Sequence, residues 1–259
     1  MQMKDRVGIV TAGASGMGRA GAIRFAREGA TVAVVDIDAL NAKKTVDEIA
    51  RAGGRAVALC GDLRDEKFAR SIVHDTAERF GGLDFLWNNA GHPGPAKFEG
   101  LDLSEFDSAV ELNIRSQLAT TIEAIPYMRK RGGGSVLFTS SGAGLHGSTF
   151  SPIYATLKFG VVGLARSLAR RYGREQIRFN VVCPGSTDTP MLRVFAARPD
   201  DETTRGQDPE SIVAKRSTGN PMGRIARPEE IANCALFLLS DEASFVNGVA
   251  LPVDGGAVA

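Results

Sequence analysis

The 259-residue chain is short of the residues from which several kinds of protein are built. Its three cysteines, Cys60, Cys183 and Cys234, are odd in number and form no Cys-x-x-Cys pair. They suggest neither a disulfide framework nor a thiolate zinc site, and are read as small core hydrophobes in a reducing compartment. Three histidines, His74, His92 and His146, lack ligand spacing, so no metal and no zinc-dependent dehydrogenase chemistry is expected; His92 and His146 fall in loops that could face a substrate. No apolar run approaches the roughly 18 residues of a membrane span. Met1 to Asp5 runs into an apolar strand without the charged and long apolar regions of a signal peptide. Charge of one sign is missing too: 31 basic and 30 acidic residues leave a net +1, with no basic stripe or acidic tail. The expected setting is cytoplasmic, without nucleic acid or membrane, and the expected partners are small molecules and copies of the chain itself.

What is present is an alternation of β-branched apolar runs with longer amphipathic segments. Strands are predicted at Val7-Thr11, Thr31-Val35, Ala56-Cys60, Leu83-Trp87, Ser135-Thr139, Arg178-Val182 and Val249-Val253. They look apolar on both faces, as parallel strands covered by helices must be. The expected fold class is α/β, one doubly wound parallel sheet with helices on both faces, as a single domain over 1–259.

The first crossover reads Thr11-Ala12-Gly13-Ala14-Ser15-Gly16-Met17-Gly18, between a strand and the helix Arg19 to Glu28. Glycines let a backbone approach a pyrophosphate, and a helix N-terminus offers it free N–H groups and partial positive charge. The second strand ends Val35-Asp36-Ile37, about 20 residues past the glycines, where a carboxylate can accept both ribose hydroxyls and repel a 2′-phosphate. No Arg or Lys precedes Gly16 or follows Asp36, so NAD is expected rather than NADP. Asp36 also reads as a helix N-cap, since a helix from Ala39 starts nearby. Asp62-Leu63 and Asn88-Asn89-Ala90-Gly91 lie at two further strand exits, the edge at which open α/β sheets bind ligands. Asp62 has the plainer reading of capping the helix that begins near Asp65. A helix from about Ser104 to Lys130 is expected, with Ser104 and Asp107 spaced like a capping box. It contains Asn113, a poor helix former that suggests a polar relay.

Strand five exits into Thr139-Ser140-Ser141-Gly142, and thirteen residues past Ser141 comes Tyr154-Ala155-Thr156-Leu157-Lys158. On a helix, residues four apart share a face, so the Lys158 ammonium can rise beside the Tyr154 phenol and favour the phenolate. That is a general acid/base in prospect, although Tyr and Lys at this spacing also occur as a buried ring and a solvated amine.

In this order, the glycine turn, Asp62-Leu63, Asn88 to Gly91, Asn113, Ser141, Tyr154 with Lys158, Pro184-Gly185 with Thr189, and the ending Val253 to Gly256 resemble the short-chain dehydrogenase/reductase family over nearly the whole chain. The resemblance implies a Rossmann fold and Tyr154 as catalytic acid/base. It makes Ser141, rather than Ser140, the donor to the substrate oxygen. Lys158 is implied to lower the Tyr154 pKa and bind the nicotinamide ribose, with Asn113 supporting a water that links Lys158 to solvent. Cofactor contacts are implied at Gly13, Ser15, Gly16, Met17, Gly18, Asp36, Ile37, Asp62, Leu63, Asn89, Ala90, Gly91, Tyr154, Lys158, Pro184, Gly185, Thr187 and Thr189, the two threonines lying on the nicotinamide carboxamide. A homotetramer is implied as well. One departure is Ala12, where the family has glycine; if the turn needs positive φ, alanine costs on the order of 1 kcal/mol unless Gly13 absorbs it.

From Pro190 to Met222 periodicity fails, and an irregular lid over the substrate is expected, with five basic residues (Arg193, Arg198, Arg205, Lys215, Arg216) balancing five acidic ones (Asp200, Asp201, Glu202, Asp208, Glu210). The expected activity is NAD-dependent interconversion of a secondary alcohol and a ketone. Two alternatives stay open: an NADPH-type ketoreductase such as a 3-oxoacyl-carrier-protein reductase, whose acidic carrier could meet Arg129, Lys130 and Arg131, and a dinucleotide-binding sensor without turnover.

Overall fold

The computed structural model describes the chain except residues 199, 201–203 and 218 and the side chains of Arg216 and Ser217. The predicted apolar runs form seven strands: β1 Val7–Thr11, β2 Thr31–Asp36, β3 Arg55–Cys60, β4 Phe85–Asn88, β5 Gly134–Thr139, β6 Ile177–Pro184 and β7 Ala250–Val253. All neighbours pair in parallel, in the order β3-β2-β1-β4-β5-β6-β7.

Successive strand residues point to opposite faces, and the core divides accordingly. Ile9, Leu86, Val136 and Phe138 pack under three helices, α3 Glu66–Phe80, α5 Ser116–Lys130 and α7 Pro152–Tyr172. Val10, Val34, Trp87 and Leu137 pack under α1 Gly16–Arg27, α2 Ala39–Arg51 and α10 Pro228–Leu239. β3 departs from the expectation of burial on both faces: at the sheet edge, it is only partly covered, and Cys60 at its end is exposed rather than a core residue.

Other boundaries move for local reasons. The segment expected as one helix from Ser104 is α4 Leu103–Val110, a π-helical turn Glu111–Arg115, and then α5. Its cap is Asp102, which accepts from the Ser104 N–H at 2.9 Å, so the Ser104–Asp107 capping box is not formed. After the short helix α6 Ala143–His146, the stretch expected as irregular beyond Pro190 holds two helices, α8 Pro190–Ala196 and α9 Pro209–Ser217. They pack through Leu192, Ala196, Ile212 and Val213, and Arg193 reaches Glu210 at 2.9 Å. Asp201, Glu202 and the Arg216 side chain, counted in the charge balance of that stretch, lie outside the described residues. Among the described residues no helix is long and apolar enough to cross a membrane.

The N-terminal edge of the sheet hangs on Asp84, which is 4% exposed. Its carboxylate accepts from the Val7 N–H at 2.8 Å and from Arg131 Nε at 3.0 Å, while its backbone bonds Val7 and Ser135. One residue, through its side chain and its backbone, thus aligns β1, β4, β5 and the end of α5. Asp84→Asn keeps the volume but replaces charge-assisted acceptors with a weaker, half-donating amide, at an expected cost of about 2 kcal/mol. Urea unfolding checks this; a change under about 0.5 kcal/mol, ordinary for a surface substitution, would refute it.

Candidate active site

The chain leaves β1 toward β2 on one side and, after β3, returns to β4 on the other, so a crevice opens at the C-terminal ends of β1 and β4. The Thr11 hydroxyl ties the two exits together, accepting from the Asn89 N–H at 2.8 Å and the Ala90 N–H at 2.9 Å. Asn89 returns the contact by donating to the Thr11 carbonyl, and its amide oxygen accepts from Thr139 at 3.0 Å.

The glycine turn lies over this crevice. Ala12 itself adopts φ +52°, so Gly13 does not absorb the strain; an L-residue there costs about 1–2 kcal/mol. Gly13 is instead needed for packing, because a Cβ on it would lie 2.8 Å from Val34 Cγ1. At Gly18 a Cβ would sit 2.1 Å from the Ala12 carbonyl oxygen. Ser15 is the N-cap of α1 but makes no side-chain cap bond, leaving the first N–H groups of the helix without a side-chain partner among the described residues. Met17 packs into the adjoining core. A bare helix N-terminus beside a floor that tolerates no Cβ fits a pyrophosphate.

Asp36 is not a helix cap, since Asp38 caps α2 by accepting from the Asn41 N–H at 3.0 Å. The Asp36 carboxylate accepts from the Ala14 N–H at 2.9 Å and the Asp38 N–H at 3.0 Å, holding the glycine turn against β2. Ile37 beside it is exposed. Asp62 does not cap α3 either; Asp65 does. Arg64 forks onto the Asp62 carboxylate at 2.6 Å and holds its pKa below the ordinary value, while Leu63 is buried.

Across the crevice the π-helical turn points Asn113 inward, fully buried, donating to the carbonyls of His92 at 3.0 Å and Ala109 at 2.9 Å. Such turns often mark functional sites. Gly91 runs between Asn113 and Lys158: a Cβ on it would lie 3.0 Å from Asn113 Oδ1 and 3.2 Å from Lys158 Nζ. Lys158 is 2% exposed, with its ammonium on the Thr139 carbonyl at 3.0 Å and 5.4 Å from the centre of the Tyr154 ring. The Ser141 hydroxyl lies near enough to the Tyr154 phenol to favour its ionised form, whereas the Ser140 hydroxyl is turned inward onto the Lys158 carbonyl at 2.8 Å. Asn113, Ser141, Tyr154 and Lys158 are thus brought to one place.

Beyond β6, the Pro184 carbonyl accepts from the Gly142 N–H and the Gly185 N–H donates to Val253. Thr187 bonds the Gly185 carbonyl at 3.1 Å. Thr189 caps α8, and its methyl lies 3.0 Å from where a Gly16 Cβ would be, so this threonine borders the glycine turn.

Burial, more than charge, sets the proton affinities in this site. Burial pushes the phenol up to about 12, opposed by the Ser141 hydrogen bond and then by the Arg198 guanidinium. Burial also pushes Lys158 down to about 8. Two further residues enter from the 190–222 segment: Phe195 packs edge-on against Tyr154, ring centres 5.0 Å apart, and Arg198 stacks on Phe195. Their segment has no periodicity, so nothing in the sequence pointed to either.

A parallel sheet with this switch point and a bare glycine-turn helix defines a dinucleotide-binding α/β protein. A family profile described as enoyl-(acyl carrier protein) reductase matches residues 11–258. Levodione reductase of Leifsonia aquatica is 38% identical over 97% of this chain and 94% of its own, and a crystal structure of levodione reductase superposes with a TM-score of 0.91 at 37% identity, covering 99% and 98%. The 3-oxoacyl-[acyl-carrier-protein] reductase of Thermotoga maritima is 32% identical over the full length of both chains. A short-chain dehydrogenase from Burkholderia cenocepacia, crystallised with NADP, gives a TM-score of 0.87 at 29% identity over both full chains. The chain belongs to the short-chain dehydrogenase/reductase family.

The buried lysine has a consequence for stability. Between pH about 8 and 10.5 the unfolded chain still holds the Lys158 proton that the folded protein has released, so the contribution of Lys158 to stability should rise with pH across that window. Lys158→Met removes that increment, roughly 3 kcal/mol at most. Urea melts of both proteins at the two ends of the window should show it; identical pH dependence would contradict it.

Proposed function

We propose that the protein is an NAD-dependent oxidoreductase interconverting a secondary alcohol and a ketone, with residues 1–259 as one domain and the 190–222 segment covering the substrate. The observation that carries this reading is the buried Lys158 ammonium 5.4 Å from the Tyr154 ring, with Ser141 close to the phenol, at the edge of a crevice whose glycine turn fits a pyrophosphate. The bound dinucleotide supplies the hydride acceptor or donor. In oxidation the Tyr154 phenolate takes the hydroxyl proton while Ser141 holds the oxygen; in reduction the phenol returns it. Lys158 places positive charge beneath the ring and is positioned for the ribose hydroxyls, and Asn113 stands beside it for a relaying water. The inward Ser140 supports Ser141 for the substrate role.

Asp36 at the end of β2, with no cation beside it in sequence, supports NAD. Exposed Ile122 on α5, Phe159 on α7 and Phe245 near the C-terminus support the homotetramer. A second reading, an NADPH-dependent ketoreductase, is favoured by the Thermotoga maritima relative and the NADP-bound neighbour. Its carrier contact is weakened here, because Arg131 is engaged with Asp84 and Arg129 with Glu175 at 2.7 Å.

Thermal unfolding with NADH and with NADPH at equal concentration separates the two. A ligand at 100 times its dissociation constant stabilises by about 2.7 kcal/mol, and the larger shift is expected with NADH; a larger shift with NADPH promotes the ketoreductase. Tyr154→Phe should retain the cofactor shift and lower kcat by at least about 100-fold on any alcohol that is turned over; near-native turnover would remove Tyr154 from its role.

A further inference from the structure

Arg198 is a buried arginine in the segment that covers the site, 5% exposed. Its guanidinium donates to the Ser151 hydroxyl, next to the start of α7, and to the Gly94 carbonyl in the loop after β4. It lies 5.4 Å from the centre of the Phe195 ring, whose other neighbour is Tyr154 at 5.0 Å. It also lines a cavity of about 1120 Å³ between α4, α8 and the His92 to Pro95 loop. One side chain therefore joins three separate parts of the chain, and stands between this cavity and the reacting phenol.

We propose that Arg198 is a positioning residue of the reaction, which locks Phe195 onto the Tyr154 ring and brings a buried positive charge to the mouth of the site. The proposal rests on Tyr154 being the acid/base. Lys158, on the same helix as Tyr154, faces it from below but has its ammonium on the Thr139 carbonyl. Cys183 on β6 faces it as well, and as a thiolate would raise its proton affinity. Asp200 lies 3.8 Å from the Arg198 guanidinium, and His92 feels the same cation, which lowers its own pKa after burial has done so. The guanidinium is a second cation, besides the Lys158 ammonium beneath the ring, whose field favours phenolate in the free protein. Seating the segment then does two things at once: it covers the ring, which favours the neutral phenol, and it supplies a cation, which favours the charged one.

The test is the near-ultraviolet absorbance of tyrosinate against pH, read by rapid pH jump on the free protein. The chain has three tyrosines, so subtracting the same protein carrying Tyr154→Phe isolates the step of interest. Arg198→Met keeps much of the stem packing and removes the charge; the Tyr154 step should move to higher pH. Arg198→Lys restores the charge without the fork and should bring the step back toward the native position. An unmoved step in Arg198→Met, or a step moved equally in Arg198→Lys, overturns the proposal and leaves a structural brace. If Arg198→Met fails to fold, Phe195→Leu carries the test: the arginine loses its platform and the step must still move, an unmoved one being fatal. Failure of the parent reading looks different, because Tyr154→Phe would then remain active whatever the titration shows.

Discussion

Lys158 is 2% exposed, with a carbonyl as the hydrogen-bond partner of its ammonium, and an uncompensated cation in such a place is costly. The lowering of its pKa to about 8 corresponds to roughly 3 kcal/mol held against the charged form. The surroundings are arranged around that cost. Thr139 offers its carbonyl because β5 ends there, and Gly91 leaves room beside the ammonium that a Cβ would narrow to 3.2 Å. Asn113 closes the far side from a π-helical turn, an irregularity that re-aims one amide without breaking the helix pair around it. A bound dinucleotide with ribose hydroxyls in this space would give the ammonium the acceptors it lacks.

The same logic runs along the edge of the sheet. A parallel sheet exposes strand ends only at its two edges, and at the C-terminal edge the crossovers diverge between β1 and β4. The Thr11 hydroxyl bridges that divergence with two N–H bonds, so the crevice is open yet fixed in width. The strained backbone at Ala12 sits one residue later, with Gly18 admitted beneath it. Strain at such a place persists because its surroundings over-determine it: the Val35 carbonyl, the Asp36 carboxylate and the packing of Gly13 on Val34 all hold the next two residues.

Much of this was legible in the chain because it depends on local rules. Strands β1, β2 and β5 follow from β-branched runs, and the glycine turn, Asn113, Ser141 and the Tyr154–Lys158 pair follow from spacing. What was not legible depends on tertiary placement. Cys60 looks like a core residue until β3 is known to be an edge strand. Ser104 looks like a cap, but Asp102 two residues earlier has the carboxylate geometry that wins. The proton affinities of Tyr154 and Lys158 follow burial before charge, and burial is a property of the whole fold. Phe195 reaches Tyr154, and Arg198 stacks on Phe195, from some forty residues downstream in a segment without periodicity, and only the folded chain brings them there.

Asp36 shows why position alone undersells a residue. Read from the sequence it is a selector between two dinucleotides; in the fold it is also a strut, accepting one N–H from the glycine turn and one from the cap residue of α2. These bonds aim the carboxylate, so the strut and the proposed selector are one side chain. A substitution that removes the carboxylate therefore frees the Ala14 N–H and loosens the pyrophosphate turn for both dinucleotides. The proposed selectivity then has to be read from the ratio of the two affinities, since support of the turn by Asp36 would enter both.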